Sequence, residues 1–241
     1  MALEASNYLQ VFNTAILFVT LFYASYQDLK MRLVDDWLWL TCASITTPIT
    51  AFLVVISVLD PIQTLASIVI TASISVLFYF LGLYGGADAK GLIVISLSAP
   101  LTMAGMRYHP FTPITVLLNG LILALSIPAA MSLINIYRLT VRGENLFRDF
   151  KKEKAYRKLL ALFLGTPISD TKRRRFWASM EEDQDGKRFK FSPGIEDFWR
   201  PIRAGGWATP SIPLLVFISG GLVLNYLLGD ISAIVIKILT T

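Results

Sequence analysis

Long apolar runs broken by short polar knots make up most of the chain. An apolar stretch over about 8–26 is followed by a polar turn, 27–36, and a second run over about 37–58 opens on Trp37 and Trp39, side chains suited to a membrane interface. Asp60-Pro61 makes a tight connection into a third run, about 62–83. A glycine turn at 84–88 leads to a fourth run, about 89–106, and Arg107-Tyr108-His109-Pro110 to a fifth, about 111–137, where Pro128 is expected to kink the helix. A last run starts after Thr209-Pro210-Ser211-Ile212-Pro213 and reaches about 228; Gly229-Asp230 interrupts it before an apolar tail, 231–239, that either extends the helix or lies along the interface. A helix needs roughly 20 apolar residues to cross the hydrocarbon core. The pattern therefore predicts an all-α polytopic membrane protein with about six transmembrane helices.

The apolar pattern stops between 138 and 208. That segment holds 17 of the 22 Lys and Arg and 10 of the 17 Asp and Glu, a local surplus of seven positive charges. Its first part, through Leu164, has helical periodicity, and Asp185-Gly186 between Phe176-Trp177 and the alternating Phe189 and Phe191 reads as a hairpin turn. The predicted layout is a membrane domain over 1–137, a small mixed α/β basic domain over 138–208, and the sixth helix with its tail over 209–241.

Composition supports the membrane reading: 54% of residues are hydrophobic and 16% are charged, against about 25% charged in soluble domains. The lone Cys42 excludes a disulfide framework and a multi-cysteine zinc site within one chain, and the lone His109 limits histidine chemistry as severely. No metal or cofactor is expected. Of the 22 basic residues, 20 fall on one side of a six-span layout, which the positive-inside rule makes cytoplasmic. A basic segment beside a membrane suits anionic lipid headgroups, so they are expected partners and nucleic acid is not.

The candidate chemistry sits in Tyr84-Gly85-Gly86-Ala87-Asp88-Ala89-Lys90-Gly91, where Asp88 stands in the N-cap position of a helix starting near Ala89. An acid beside two glycines ordinarily marks a capped loop. A second acid, Asp28, changes the reading: it falls on the same side, one helical hairpin away, and helices joined by short loops are usually neighbours. Asp35 and Asp36 share its loop and suit capping, with Asp36 the expected cap of the second helix. Two carboxylates a few ångströms apart hold one shared proton. One partner then takes a proton from water while the other donates to a substrate carbonyl. Lys90 is expected to meet lipid phosphate, to stabilise an ionised carboxylate, or to hold the turn.

These residues resemble a known family. Gly85-Gly86-Ala87-Asp88-Ala89-Lys90 is similar to the GxGD motif of the type IV prepilin and preflagellin peptidases. Tyr26-Gln27-Asp28 with Arg32 and Val34-Asp35-Asp36-Trp37 resembles that family's first aspartate region, and Thr209-Pro210-Ser211-Ile212-Pro213 the proline pair opening its last helix in archaeal members. Ala87 replaces the glycine of bacterial members, as in the archaeal branch. The resemblance implies an aspartic endopeptidase with Asp28 and Asp88 as catalytic pair and Gly85, Gly86, Ala87 and Lys90 shaping the site. It implies removal of the basic leader of archaellin and pilin-like precursors at the cytoplasmic face. The paired-cysteine domain of N-methylating bacterial members has no counterpart, so cleavage without methylation is expected. Local acids, Asp35, Asp36 or Glu181-Glu182-Asp183, are candidates to read the leader's positive charge, although acidic runs are usually solvated.

Two rivals remain at this level. A presenilin or signal-peptide-peptidase type of intramembrane protease shares a GxGD-like site but has more spans, and it cuts inside the apolar helix. A proton- or ion-coupled transporter also uses membrane acids, though here no internal repeat is visible and both acids sit at helix ends.

Overall fold

The structure, a computed structural model, describes residues 2–102, 108–168, 176–183, 187–191 and 202–240. They fall into two compact units, Met1–Leu123 with Pro213–Thr241, and Ala124–Ile212.

The first unit is helical: α1 (Ala2–Met31), α2 (Asp36–Val55), α3 (Pro61–Phe80), α4 (Gly86–Ser98), α5 (Thr112–Ala124), α8 (Leu214–Leu227) and α9 (Ile231–Thr240). The shortest central member, α4, packs against α1, α2, α3 and α8. Its apolar positions have no preferred face and it is buried nearly all round, as a core helix must be. Leu92, Val94 and Ile95 of α4 meet Leu17, Leu21 and Ala24 of α1, Trp39 and Cys42 of α2, and Leu215, Ile218 and Leu222 of α8 in one cluster.

Buried polar side chains pin these helices at set depths. The Asn13 amide donates to the Thr46 carbonyl, Thr50 Oγ1 and the Ser98 carbonyl at 3.1–3.2 Å, tying α1 to α2 and to the end of α4. Ser25 meets Ser219 at 2.8 Å and donates to the Leu215 carbonyl, while Ser219 donates to the Leu21 carbonyl, fastening α1 to α8. Without water in a bilayer core, such pairings satisfy groups that would otherwise be costly to bury. Gly120 of α5 faces the α8 backbone so closely that a Cβ there would lie 2.9 Å from the Phe217 carbonyl oxygen.

The structure departs from the apolar pattern in two places. Where a span is expected over 89–106, α4 has only 13 residues. At 1.5 Å per residue that is about 20 Å, too short for the roughly 30 Å hydrocarbon core. The helix stops before Pro100, which disfavours helical geometry at the preceding residue. The chain then becomes extended: Leu101 bridges Phe111, and Thr102 N–H donates to the Pro110 carbonyl at 2.7 Å. Residues 103–107, including Met106 and Arg107, lie outside the described ones. Second, α1 does not stop at residue 26 but runs to Met31, which puts Asp28 in its last turn and not in a loop.

Four helical stretches among the described residues are long and apolar enough to cross a membrane: Glu4–Met31, Asp36–Val55, Pro61–Phe80 and Thr112–Thr140. The chain is a mostly helical membrane protein with a small strand-containing region. The 14-residue α8 is apolar but shorter, and Leu228–Asp230 separates it from α9.

The second unit starts with α6 (Ser126–Thr140), which follows a break at Leu125. Pro128 has no N–H to offer the Ala124 carbonyl, which accounts for the break. Helical geometry then returns only in α7 (Ala155–Leu164), with turns between, so the helical periodicity read through 146–164 holds for its second half alone. Strands β1 (Thr166–Pro167), β5 (Trp207–Pro210) and β2 (Trp177–Ser179) form an antiparallel sheet in that order, and β3 (Glu181–Asp183) pairs β4 (Lys187–Phe189). The expected turn residues Asp185 and Gly186 lie outside the described ones. Leu146, Phe150, Ala161, Met180, Phe189 and Trp207 form the core, with the Phe150 and Phe189 rings stacked at 4.1 Å.

A buried carboxylate anchors this core. Glu153 accepts from the Phe189 N–H at 2.7 Å and from Arg157 Nε at 2.9 Å. Glu153→Ala strands both donors, and thermal unfolding of the purified full chain is expected to show this unit destabilised by about 2–4 kcal/mol. Glu153→Gln keeps an acceptor and is expected to lose less.

Candidate active site

Asp28 is presented by the last turn of α1 and held by the residue that ends it. Arg32 adopts a left-handed backbone, φ 57°, uncommon outside glycine. Its N–H donates to the Asp28 carbonyl at 3.0 Å, and its Nη1 lies 3.4 Å from Asp28 Oδ2. The unfavourable backbone thus comes with a guanidinium against the carboxylate one turn earlier. Buried Gln27 clamps the loop beyond: its Nε2 donates to Asp35 Oδ2 at 2.8 Å and its Oε1 accepts from the Asp35 N–H at 3.2 Å.

Asp88 enters from the other side, in the first turn of α4. Its position differs from the expected cap. Gly85 is the N-cap, and Asp88 three residues later turns back so that Oδ2 accepts the Gly85 N–H at 2.9 Å. This half of a capping box satisfies one orphan amide and draws the carboxyl back over the turn. A Cβ on Gly85 would lie 3.3 Å from that oxygen, so close approach is what favours glycine there. Gly86 has room for a methyl beside the Tyr79 ring, Ala87 packs on the helical core, and neither Gly85 nor Gly86 is left-handed. Likewise Asp35, not Asp36, occupies the N-cap of α2, and its carboxylate is committed to Gln27.

The packing of α1 on α4 brings the two acids into one field. Asp88 lies outside the four long apolar helices. Burial raises its carboxyl from the ordinary range to about 6; the Gly85 N–H pulls it down, Asp28's charge raises it and Arg32's lowers it. Tyr84 completes the surroundings, its ring edge-on to Phe78 at 5.7 Å. Its phenol is pushed up mainly by burial and further by the charge of Asp88. Arg32 and Gln27 were visible in the sequence as neighbours of Asp28. The four-residue step from Asp28 to Arg32 signals their contact only once α1 is known to reach that far.

Lys90 meets neither candidate acid in an ion pair. Its Nζ lies 2.5 Å from Asp36 Oδ1, linking the first turns of α4 and α2 through two well-exposed side chains. Exposed pairs contribute about 0–1 kcal/mol. Lys90→Gln and Asp36→Asn are accordingly expected to change kcat/KM for precursor cleavage by less than about fivefold. Glu181, also expected to read positive charge, accepts the Trp207 N–H at 3.0 Å and sits 3.6 Å from Lys187, so it serves its own fold. His109 Nδ1 accepts the Phe111 N–H at 3.2 Å within its loop. Among the described residues no three His, Cys, Asp or Glu side chains gather as a metal site would need.

Residues 15–128, which contain both acids, match the model of the type IV leader peptidase family. The chain is 25% identical over 235 residues to a preflagellin peptidase of Methanococcus voltae, covering 90% of this chain and 94% of the relative. It is 24% identical over 237 residues to the preflagellin peptidase of Methanocaldococcus jannaschii, covering 88% and 92%. A third, from Methanococcus maripaludis, is 23% identical over 221 residues.

Proposed function

We infer that this chain belongs to the type IV leader peptidase family and removes the leader peptide of preflagellin and related pilin-like precursors. The observation that carries the mechanism is that Asp28, on a helix packed against that of Asp88, acts on Asp88 through its charge, with Arg32 beside Asp28. In this reading Asp28, held by the guanidinium, is the ionised partner and takes a proton from water. The water oxygen bonds to the scissile carbonyl carbon while Asp88 donates its proton to the carbonyl oxygen. Collapse of the tetrahedral intermediate breaks the C–N bond: the leaving amine takes the proton held by Asp28, and a hydroxyl of the intermediate returns its proton to Asp88 as the new carboxyl group forms. Gly85 supports this by letting the Asp88 carboxyl fold onto the turn.

The reaction is assigned to the cytoplasmic face, because α2 and α3, both long enough to span, return the chain to the side of Asp28 before Asp88, and Lys30, Arg32 and Lys90 lie beside the two acids there. Product without N-methylation and contact of the basic segment with anionic headgroups belong to the same reading. The test is cleavage of a precursor with a short basic leader by the purified full chain, with both products identified by mass. A cut at the leader boundary and a free N-terminal amine are expected. A cut within the apolar helix would move the chain to the intramembrane proteases, and proton flux into proteoliposomes without cleavage would make it a transporter.

A further inference from the structure

The second unit carries an amphipathic helix whose apolar side is left uncovered among the described residues. In α7, Tyr156, Leu159, Leu160, Phe163 and Leu164 are all exposed, Leu159 to 58% and Phe163 to 44%. Their spacing of three and one places them on one stripe, while Ala161 on the opposite side is buried in the core of its unit. A soluble surface rarely leaves such a row bare.

Two further observations say what covers it. The first is depth. α7 packs on α6, and buried Asn135 of α6 donates through Nδ2 to the carbonyls of Leu162 and Gly165, at 2.9 and 2.6 Å, which fixes the last turn of α7 beside that residue. α6 is the C-terminal part of the apolar stretch Thr112–Thr140, long and apolar enough to cross a membrane, in which no charged residue occurs before Arg138 near its end. Its final turns therefore lie at the membrane boundary. There Leu133, Ile134, Ile136 and Tyr137 are exposed and Arg138 is the first charge, so the last turn of α7 is held at that boundary too. The second is charge. Lys151, Lys152 and Lys154, just ahead of α7, are exposed, and among the described residues their side chains enter no ion pair. By contrast Arg157 is paired with Glu153 and Lys187 with Asp149.

The geometry points to α7 as an in-plane membrane helix, its Leu159-Leu160-Phe163 stripe sunk among the acyl chains and its leading lysines on anionic phospholipid headgroups. An amphipathic helix with basic flanks binds by these two terms together, buried apolar area and attraction to anionic lipid. The assignment holds whichever bond the enzyme cuts, so it stands or falls apart from the peptidase reading.

Spin labels test it in the full chain reconstituted into vesicles of phosphatidylcholine with phosphatidylglycerol. Single cysteines are placed at Leu160, Phe163 and Lys152; native Cys42 is buried, and the unlabelled background of the parent chain checks its silence. Labels at 160 and 163 are expected to be relaxed severalfold more by oxygen than by a water-soluble nickel chelate, and the label at 152 the reverse. Replacing the anionic lipid with phosphatidylcholine is expected to raise nickel access at 160 and 163. Equal nickel access at all three positions would overturn the proposal, as would labels at 160 and 163 shielded from both reagents, the signature of a protein partner. An unchanged depth in purely zwitterionic vesicles would overturn the headgroup contact.

Discussion

Asp88→Asn is expected to lower kcat for leader removal by roughly 10²–10⁴-fold, the range associated with loss of a positioned acid or base. KM is expected to stay close to that of the parent, because the substitution keeps the shape of the side chain. The amide can still accept the Gly85 N–H through its oxygen, so the first turn of α4 should survive and the loss should report chemistry and not unfolding. Asp28→Asn is expected to give a loss of the same order, although its contact with Arg32 weakens as well. The double variant is expected to be scarcely worse than either single one, since two groups sharing one proton act as a unit. Single-turnover cleavage with circular dichroism on the same samples checks this. A variant retaining more than about a tenth of the parent rate, well short of the roughly 10²–10⁴-fold loss expected, would remove its residue from the mechanism.

The second large effect is on pH dependence. Below about 6 Asp88 keeps its proton and above it the carboxyl ionises. In the proposed mechanism the pair needs one proton, so kcat/KM is expected to fall on the alkaline side through about pH 6, tenfold per unit once well past it. The groups acting on Asp88 fix the direction of the test. Arg32 lowers its proton affinity, so Arg32→Gln is expected to move the alkaline limb to higher pH. The same change weakens the hold on Asp28 and is expected to lower the plateau. A limb that stays in place in Arg32→Gln, or moves to lower pH, would contradict the action of the Asp28-bound guanidinium on Asp88.

How much of this was legible beforehand depends on the kind of interaction. The two acids, the glycine turn and Arg32 stand out because each is a polar interruption of an apolar pattern, and family resemblance attaches to those same residues. Capping was misassigned at both sites. Gly85 and Asp35 occupy the N-caps where Asp88 and Asp36 were expected, because a helix starts where the backbone leaves the extended geometry that both caps still hold, and neighbouring acids look alike in sequence. The partner of Lys90 was left open between lipid, carboxylate and turn. Asp36 is 54 positions away, and only the packing of α2 on α4 brings it near.

The sequence by itself determined that this is a largely helical membrane protein with a basic strand-containing segment, and it singled out Asp28 and Asp88. The first follows from composition and periodicity, which are local properties that a chain carries whether or not it is folded; the acids stood out by their place at the ends of apolar runs and by resemblance to a family. Only the tertiary structure decided that α1 reaches Met31, that α4 is a short buried core helix, and that Asp88 folds back onto Gly85 with Asp28 and Arg32 in its field. Those outcomes depend on long-range contacts, such as Asn13 holding the end of α4 and Ser25 meeting Ser219 of α8. The protonation of a carboxyl follows from what surrounds it, and those surroundings exist only once the helices have packed.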